Sequence, residues 1–135
     1  MPEFSRRSKA HLETCDPRLV RLFSEVIKHY DCTILEGQRT EERQRELVAT
    51  GKSRTLFSKH LAQPYSMACD VMPFPIRWDR VGAERARHFA GFVFGVASQL
   101  GIEGLRWGGD WDRDFDLRDH DQSFMDLPHY ELLDV

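Results

Sequence analysis

The sequence predicts an α+β fold in which a small antiparallel sheet is flanked by helices. The chain has 135 residues, a length that suits one domain. Several segments repeat apolar residues at helical spacing, and shorter apolar runs are bounded by turn residues, as strands are. Their order is helix, strand, helix, strand, helix, strand, strand. We therefore expect residues 1–135 to form a single domain with one mixed helix-and-sheet core.

The first half of the chain supplies two helices and a strand. A helix is predicted over about residues 17–30, because Asp16 is a suitable N-cap and apolar residues follow every three or four positions. The run "CTILEG", Cys32–Gly37, predicts a short strand. A second helix is expected to begin after Thr40 as its cap and to end at Gly51.

The second half supplies the longest helix and three strands. "SMACDVMPF" predicts a buried strand ended by Pro73, and "AERARHFAGFVFGVASQLG" predicts a helix that crosses the core. "IEGLRW" and "PHYELL" predict the last two strands. The acidic segment between Gly108 and Asp126 has no periodicity, and a loop of that length in a small domain is usually functional or mobile.

Composition excludes several classes of function. Lys plus Arg number 19 and Asp plus Glu number 22, a net charge of −3, so nothing draws the chain to nucleic acid or to an anionic membrane. No apolar run has the length of a membrane helix, and the first residues have no signal-peptide core. Cys15, Cys32 and Cys69 form no CxxC pair and are expected to be reduced thiols of a cytosolic product.

Two His/Asp pairs are the strongest candidates for chemistry. His60 lies ten residues before Asp70, and Asp126 lies three residues before His129. A catalytic zinc needs three protein ligands and an open position, and a nearby carboxylate must accept a proton from water. His60, Asp70 and His129 supply three ligands, and Asp126 supplies the carboxylate. Spacing alone leaves two readings open, because six histidines and 22 acidic residues also produce such patterns by chance.

A family resemblance favours the metal site. The segments "ILEGQRTEERQRELVATGKS", "SKHL", "ACDVMPFP", "FAGFVFGVASQLGI", "LRWGGDWDRD" and "DLPHYEL" occur in order over nearly the whole chain. They resemble the phage and prophage L-alanyl–D-glutamate peptidases of the D-alanyl-D-alanine metallopeptidase group. The resemblance implies a fold shared with the hedgehog signalling domain. It also implies that His60, Asp70 and His129 bind zinc (Zn²⁺) and that Asp126 is the general base.

The same resemblance implies an activity and a place of action. It points to an endolysin, a zinc endopeptidase that cuts the L-Ala–D-Glu bond of the peptidoglycan stem peptide during host cell lysis. The enzyme would be a single-domain monomer, made in the bacterial cytoplasm and released to the cell wall through a holin pore. A D-Ala-D-Ala carboxypeptidase or dipeptidase is an alternative, as is a non-catalytic wall-binding domain with a structural zinc. Asp126 favours an enzyme, because a structural site needs no base.

The chain departs from the family pattern in one spacer, and further site residues are also expected. Nine residues, "LAQPYSMAC", separate the first two ligands, where many family members have about six; a loop tolerates the added length, which could still alter the cleft wall on that side. Arg39 is expected to face the active site and to bind an oxyanion or carboxylate. Gln44 is a second candidate for that wall, and Ser58 is either a hydrogen-bonding partner of the site or an ordinary loop serine. Trp107 and Trp111 of "RWGGDW" are expected either to line the peptide cleft or to pack in the core.

The acidic run "DWDRDFD" is the last candidate site. Asp112, Asp114 and Asp116 alternate as the first ligands of a calcium (Ca²⁺) loop do. The glycine at the sixth position and the closing glutamate of such a loop are missing. We expect a solvated loop, with calcium binding as the alternative.

Overall fold

The computed structural model of the protein describes residues 2–53, 58–115 and 125–133. Within these ranges the helices are α1 (Arg6–Leu12), α2 (Pro17–Val26), α3 (Glu41–Ala49) and α4 (Arg80–Leu100), and a short 3-10 turn spans Lys59–Leu61. The strands are β1 (Cys32–Glu36), β2 (Ala68–Pro73), β3 (Leu105–Gly108) and β4 (Asp126–Leu132).

The strands form one antiparallel sheet in the order β1-β2-β4-β3. The predicted α+β class and antiparallel sheet are therefore confirmed. The register places Asp70 of β2 opposite His129 of β4, and Arg106 of β3 opposite Glu131 of β4. Because neighbouring residues in a strand point to opposite faces, all four of these side chains belong to one face of the sheet.

Helices α2 and α4 pack on the other face and build the core. Apolar residues of the strands alternate inward, and Tyr130, which is fully buried, meets the rings of Phe23 and Phe89 at centroid distances of 5.5 and 6.3 Å. The expectation that α4 crosses the core is confirmed by buried Phe89 and Val93. Burial of these large side chains supplies most of the driving force for the fold.

Two helix boundaries differ from the prediction. Helix α2 ends at Val26, and the chain reaches Tyr30 through turns, whereas α4 begins at Arg80 because the carboxylate of Asp79 accepts the amide hydrogen of Gly82 at 3.0 Å. Helix α1 was not predicted at all. Its seven residues are too few to be stable alone, and it is held against β1 by a hydrogen bond from the Ile34 amide to the Ser8 hydroxyl.

Among the described residues, none of the helices combines the length and the apolar character needed to cross a bilayer.

Candidate metal centre and active-site cleft

The sheet face that α2 and α4 leave uncovered is the floor of a cleft of about 710 Å³. Asp70, Asp126 and His129 line it from the strands, and Arg39 lines it from the segment between β1 and α3. Reversal of the chain after β1 therefore brings Arg39 and Arg43 over the same floor that carries the acidic and imidazole groups. The pairing of β2 with β4 puts residues from two distant parts of the sequence at its centre.

His60, Asp70 and His129 converge at one point on this floor. The Nε2 atom of His60 lies 3.1 Å from Oδ1 of Asp70, and Nδ1 of His129 lies 3.3 Å from the same oxygen. One ligand atom from each residue lies within 4.8 Å of the other two. The structure thus brings together the three residues that the sequence analysis selected as metal ligands.

Each histidine uses its outer nitrogen to donate a hydrogen bond. His60 Nδ1 donates to the carbonyl oxygen of Gly37 at 2.7 Å, and His129 Nε2 donates to Oε1 of Glu131 at 2.8 Å. A neutral imidazole that donates from one nitrogen presents a lone pair at the other. Both lone pairs therefore face the Asp70 carboxylate, an arrangement that repels unless a cation or a proton lies between them. Two imidazoles and one carboxylate are a donor set that suits zinc, so these residues fit the metal.

The ionisation of the site without metal agrees with this geometry. Burial alone would raise the pKa of Asp70, but the charges of His60 and His129 and their hydrogen bonds hold that pKa well below its usual range. Burial opposes protonation of His129, yet its hydrogen bonds to Asp70 and Glu131 prevail and raise its pKa to about 9. A proton on His129 thus balances the negative charge that a bound cation would balance.

Asp126 lies beside the three converging residues and not among them. Its Oδ2 atom is 4.0 Å from Nδ1 of His129, and its side chain is 34% exposed to the cleft. Burial, followed by the negative charge of Asp70, raises the pKa of Asp126 above its ordinary value. A carboxylate with raised basicity, close to the centre and open to solvent, is placed to accept a proton from water.

Arg39 reaches the centre from the β1–α3 segment. Its Nη2 atom donates to Glu36 Oε1 at 2.5 Å and to Asp70 Oδ2 at 3.4 Å, and its side chain is only 7% exposed. The Arg39 amide also donates to the carbonyl oxygen of His60 at 2.8 Å. The guanidinium therefore lies next to Asp70, on the side of the cleft that the sequence predicted.

Gln44 is buried behind the cleft, whereas Ser58 lines it. Gln44 is 1% exposed and lies behind Arg39, accepting from its Nη1 atom at 2.7 Å and donating to Ser53 Oγ at 2.9 Å. It is outside the cleft lining, so its predicted place on the substrate wall is wrong, because Gln44 is on the buried side of α3. Ser58 lines the cleft, and its hydroxyl accepts the amide hydrogen of His60 at 3.2 Å.

Of the two predicted tryptophans, Trp107 lies in the core and Trp111 lines the cleft. Trp107 is 3% exposed, belongs to the core, and donates its indole hydrogen to the Leu127 carbonyl at 2.6 Å. Of the two places predicted for Trp107, the cleft and the core, the structure shows the core, because strand alternation turns Trp107 towards the helices. Trp111 lines the cleft, with its ring centroid 5.4 Å from that of His129.

Two residues at the centre, Glu131 and Arg106, were not predicted from the sequence. Glu131 is 5% exposed, and its Oε2 atom accepts from Nη2 of Arg106 at 2.7 Å. Burial would raise the pKa of Glu131, but the hydrogen bonds from His129 and Arg106 lower it, and the carboxylate stays ionised. The sequence did contain a signal for Glu131, because the His-x-Glu spacing in a strand places both side chains on one face.

The long spacer between the first two ligands lies away from the cleft. Ser66, within it, accepts from the Asp16 amide at 2.9 Å and donates its own amide hydrogen to the Thr14 carbonyl at 2.9 Å. The spacer therefore docks on the turn between α1 and α2. Its residues are outside the cleft lining, so the expected effect on the cleft wall is not seen.

In the acidic segment, Asp110 joins two of the predicted residues. One carboxylate oxygen each of Asp110, Asp112 and Asp114 lies within 4.8 Å of the other two, while Asp116 lies outside the described residues. Oδ2 of Asp110 accepts the Phe115 amide hydrogen at 2.9 Å, and Oδ1 of Asp112 accepts that of Asp114 at 3.2 Å. These bonds account for the bend of the segment through backbone capping.

Comparison with known proteins gives a family and a structural neighbour for the chain. A family model described as phage L-alanyl-D-glutamate peptidase matches residues 2–133. Among solved structures, the chain is similar to the Serratia marcescens L-Ala D-Glu endopeptidase ChiX, with a TM-score of 0.73 and 29% sequence identity over 97% of this chain and 90% of that one. No curated protein sequence matches significantly.

Proposed function

The chain belongs to the phage L-alanyl-D-glutamate peptidase family, and we propose that it is a zinc-dependent endopeptidase that hydrolyses the L-Ala–D-Glu bond of the peptidoglycan stem peptide. Family membership and the similarity to an L-Ala D-Glu endopeptidase support peptidoglycan hydrolysis. The identity of the metal and the roles of the residues are our proposals.

One observation carries the zinc proposal. The inner nitrogens of His60 and His129 and the Asp70 oxygen converge, while both outer nitrogens are occupied by acceptors that cannot donate. This arrangement fixes the tautomers that metal ligands need. Zinc, when bound by these three residues, would lower the pKa of water and polarise the scissile carbonyl.

Asp126 is the proposed general base. Its carboxylate would accept a proton from the attacking water as the water oxygen bonds to the scissile carbonyl carbon. The same carboxylate would then give that proton to the amide nitrogen of the D-Glu residue as the carbon–nitrogen bond breaks. Among the described residues, the ligand atoms that lie within 4.8 Å of one another come from His60, Asp70 and His129 and not from Asp126, which supports a role for Asp126 beside the ligands and not as one of them.

Arg39 is the proposed oxyanion-stabilising residue. Its guanidinium borders the cleft beside Asp70, where a positive charge favours the negative oxygen that develops on the scissile carbonyl. Hydrogen bonds to Glu36 and Gln44 hold the guanidinium in place, so little reorganisation is needed during the reaction.

The charge of the cleft suits a stem peptide, which carries carboxylates. Among the described residues, five basic ones line the cleft: Arg39, Arg43, Lys52, Lys59 and Arg106. With the charge of a bound zinc, they exceed the four acidic residues of the described lining, Glu36, Asp70, Asp126 and Glu131. A cleft with a positive balance attracts an anionic peptide and concentrates it near the site.

We also propose that residues 1–135 act as one catalytic domain and as a monomer, without nucleic acid and without membrane insertion. In this proposal the enzyme is made in the bacterial host cytoplasm and reaches the cell wall after holin-mediated release.

Mass spectrometry of digested stem peptides tests the proposed bond. Purified muropeptides are incubated with the zinc-loaded chain and with an Asp126→Asn variant. The expected products are a muramyl-L-Ala fragment and a peptide that begins with D-Glu, formed by the wild type alone. Release of terminal D-Ala would instead indicate a carboxypeptidase. Binding to the wall with no product in either sample would indicate a wall-binding domain with a structural metal.

A further inference from the structure

Strand β4 carries a buried carboxylate that the proposed reaction does not use. Glu131 is 5% exposed, and both of its oxygens are occupied. Oε1 accepts from His129 Nε2 at 2.8 Å, and Oε2 accepts from Arg106 Nη2 at 2.7 Å. The carboxylate therefore connects a proposed zinc ligand to a guanidinium on the neighbouring strand.

The sheet register fixes this connection. His129 and Glu131 are two residues apart in β4 and share a face, and Arg106 lies directly opposite Glu131 in β3. Trp111 adds a second support, because its ring lies 5.4 Å from the His129 ring and the Arg106 guanidinium lies 5.4 Å above its centroid. The ring of His129 is thus held at one nitrogen and along one flank.

Stability alone does not account for a buried carboxylate at this position. A charge in an interior contributes little beyond what an apolar side chain of similar size would contribute, since it loses hydration even when it is paired. Orientation of a metal ligand does account for it, because a carboxylate behind a histidine fixes the ring and its tautomer.

Resting on the proposed function, we infer that Glu131, backed by Arg106, is a positioning residue that holds His129 in the tautomer whose Nδ1 lone pair faces the zinc site. Without Glu131, the neutral His129 ring is free to take the other tautomer, in which Nδ1 carries the proton and donates to Asp70 Oδ1, which is 3.3 Å away. That hydrogen bond would occupy His129 Nδ1 and Asp70 Oδ1, the two atoms that would otherwise bind zinc. Arg106 holds the second oxygen of Glu131 and prevents the carboxylate from rotating away from the ring.

Zinc affinity of the full chain tests this role directly. We compare the wild type with Glu131→Gln, which keeps the shape of the side chain, and with Glu103→Gln, which makes the same change at an exposed position before β3. A competition titration against a chromophoric chelator measures the zinc dissociation constant. Glu131→Gln is expected to weaken zinc binding by about 10- to 100-fold, and Glu103→Gln is expected to leave it unchanged.

Nitrogen NMR of the histidine rings supplies a readout that a merely structural role would not change. In the zinc-loaded wild type, the proton of the His129 ring is expected on Nε2. The chemical shift of this group should be that of an N–H group that donates to a carboxylate. In Glu131→Gln that signal should move towards the position of a weaker bond while the backbone spectrum stays the same. An unchanged Nε2 signal together with unchanged zinc affinity would overturn the inference.

Arg106→Met, alone and combined with Glu131→Gln, tests the order of action. Since Arg106 acts through Glu131, its replacement should weaken zinc binding in the wild type and add nothing in the Glu131→Gln background. Equal losses in both backgrounds would overturn the backing role, and if Glu131→Gln does not fold, an unchanged zinc affinity in Arg106→Met would do so. A wild type that binds no zinc would instead overturn the proposed function.

Discussion

The site has two halves that hold their histidines by different means. The loop half, residues 36–44 with 58–61, contributes His60, whose outer nitrogen is held by a backbone carbonyl, that of Gly37. The strand half, β3 and β4, contributes His129, whose outer nitrogen is held by the side chain of Glu131. Asp70 of β2 lies between the halves and contacts both histidines.

The two proposed histidine ligands are therefore held in place in two different ways. A backbone carbonyl survives most substitutions, so the loop half depends on the path of the chain and on the packing that fixes that path. A carboxylate is lost with a single substitution, so the strand half depends on residue identity at fixed strand positions. Each half also carries one proposed reacting group, Arg39 in the loop half and Asp126 in the strand half.

Loss of the metal should have the largest effect, and it should be the same for both halves. Chelation is expected to abolish hydrolysis of stem peptides, and added zinc should restore it. His60→Ala and His129→Ala should each lose zinc and activity together, because three ligands are needed at a catalytic site. Elemental analysis and a muropeptide assay check this. Full zinc occupancy in either variant would show that the replaced histidine is not a required ligand and that the two halves do not contribute equally.

Replacement of the base should separate chemistry from metal binding within the strand half. Asp126→Asn is expected to keep its zinc and its melting temperature while hydrolysis falls by about 100- to 10,000-fold, the usual cost of losing a general base. Metal content and turnover measured on the same preparation test this. Loss of zinc in this variant would mean that Asp126 is a ligand.

The corresponding change in the loop half should cost less in turnover and more in stability. Arg39→Ala removes one oxyanion partner, worth about 100-fold in rate. It also leaves the Glu36 and Asp70 carboxylates without their shared cation, so the metal-free protein should melt at a lower temperature. Arg39→Lys retains the charge and should recover part of the stability. Wild-type turnover in Arg39→Ala would leave Arg39 with a purely structural role.

A substitution at Gly37 tests the backbone support of His60. A Cβ atom there would lie 2.2 Å from the His11 carbonyl oxygen and 2.4 Å from Thr14 Oγ1, so the β1–α3 segment would have to move. Gly37→Ala is expected to destabilise the fold by about 1–3 kcal/mol and to weaken zinc binding through His60. Gly95→Ala, on α4 with open space around its Cβ, is the matched control. Denaturant melts and zinc titrations give both quantities.

The acidic segment belongs to neither half and should show the smallest effect. Millimolar calcium is expected to leave the melting temperature and the hydrolysis rate unchanged, because Asp110 and Asp112 already accept backbone hydrogen bonds. A rise in melting temperature that follows calcium concentration would indicate a second metal site. An Asp112→Asn, Asp114→Asn variant should then abolish that rise.

Much of the strand half, and of β2 between the two halves, could be predicted from the sequence. Apolar runs with strand character identified β2, β3 and β4, and Asp70, Asp126 and His129 stood out as chemical groups at the ends and in the interior of those runs. Strand alternation also implied that His129 and Glu131 share a face, although the sequence analysis did not use it. Local spacing carries this information, because side chains in a strand repeat every two residues.

The loop half was decided by tertiary structure. No local pattern indicated α1, which is held by its contact with β1, or the close approach of Gly37 to His11 and Thr14 that directs its carbonyl towards His60. Sequence alone likewise did not assign Gln44 to a position behind Arg39, or Trp107 to the core and Trp111 to the cleft. The sequence determined which elements form and which residues can do chemistry, since those depend on neighbours along the chain. Which side of each element is buried depends on contacts between distant segments, and these exist only once the sheet has closed and the helices have packed on it.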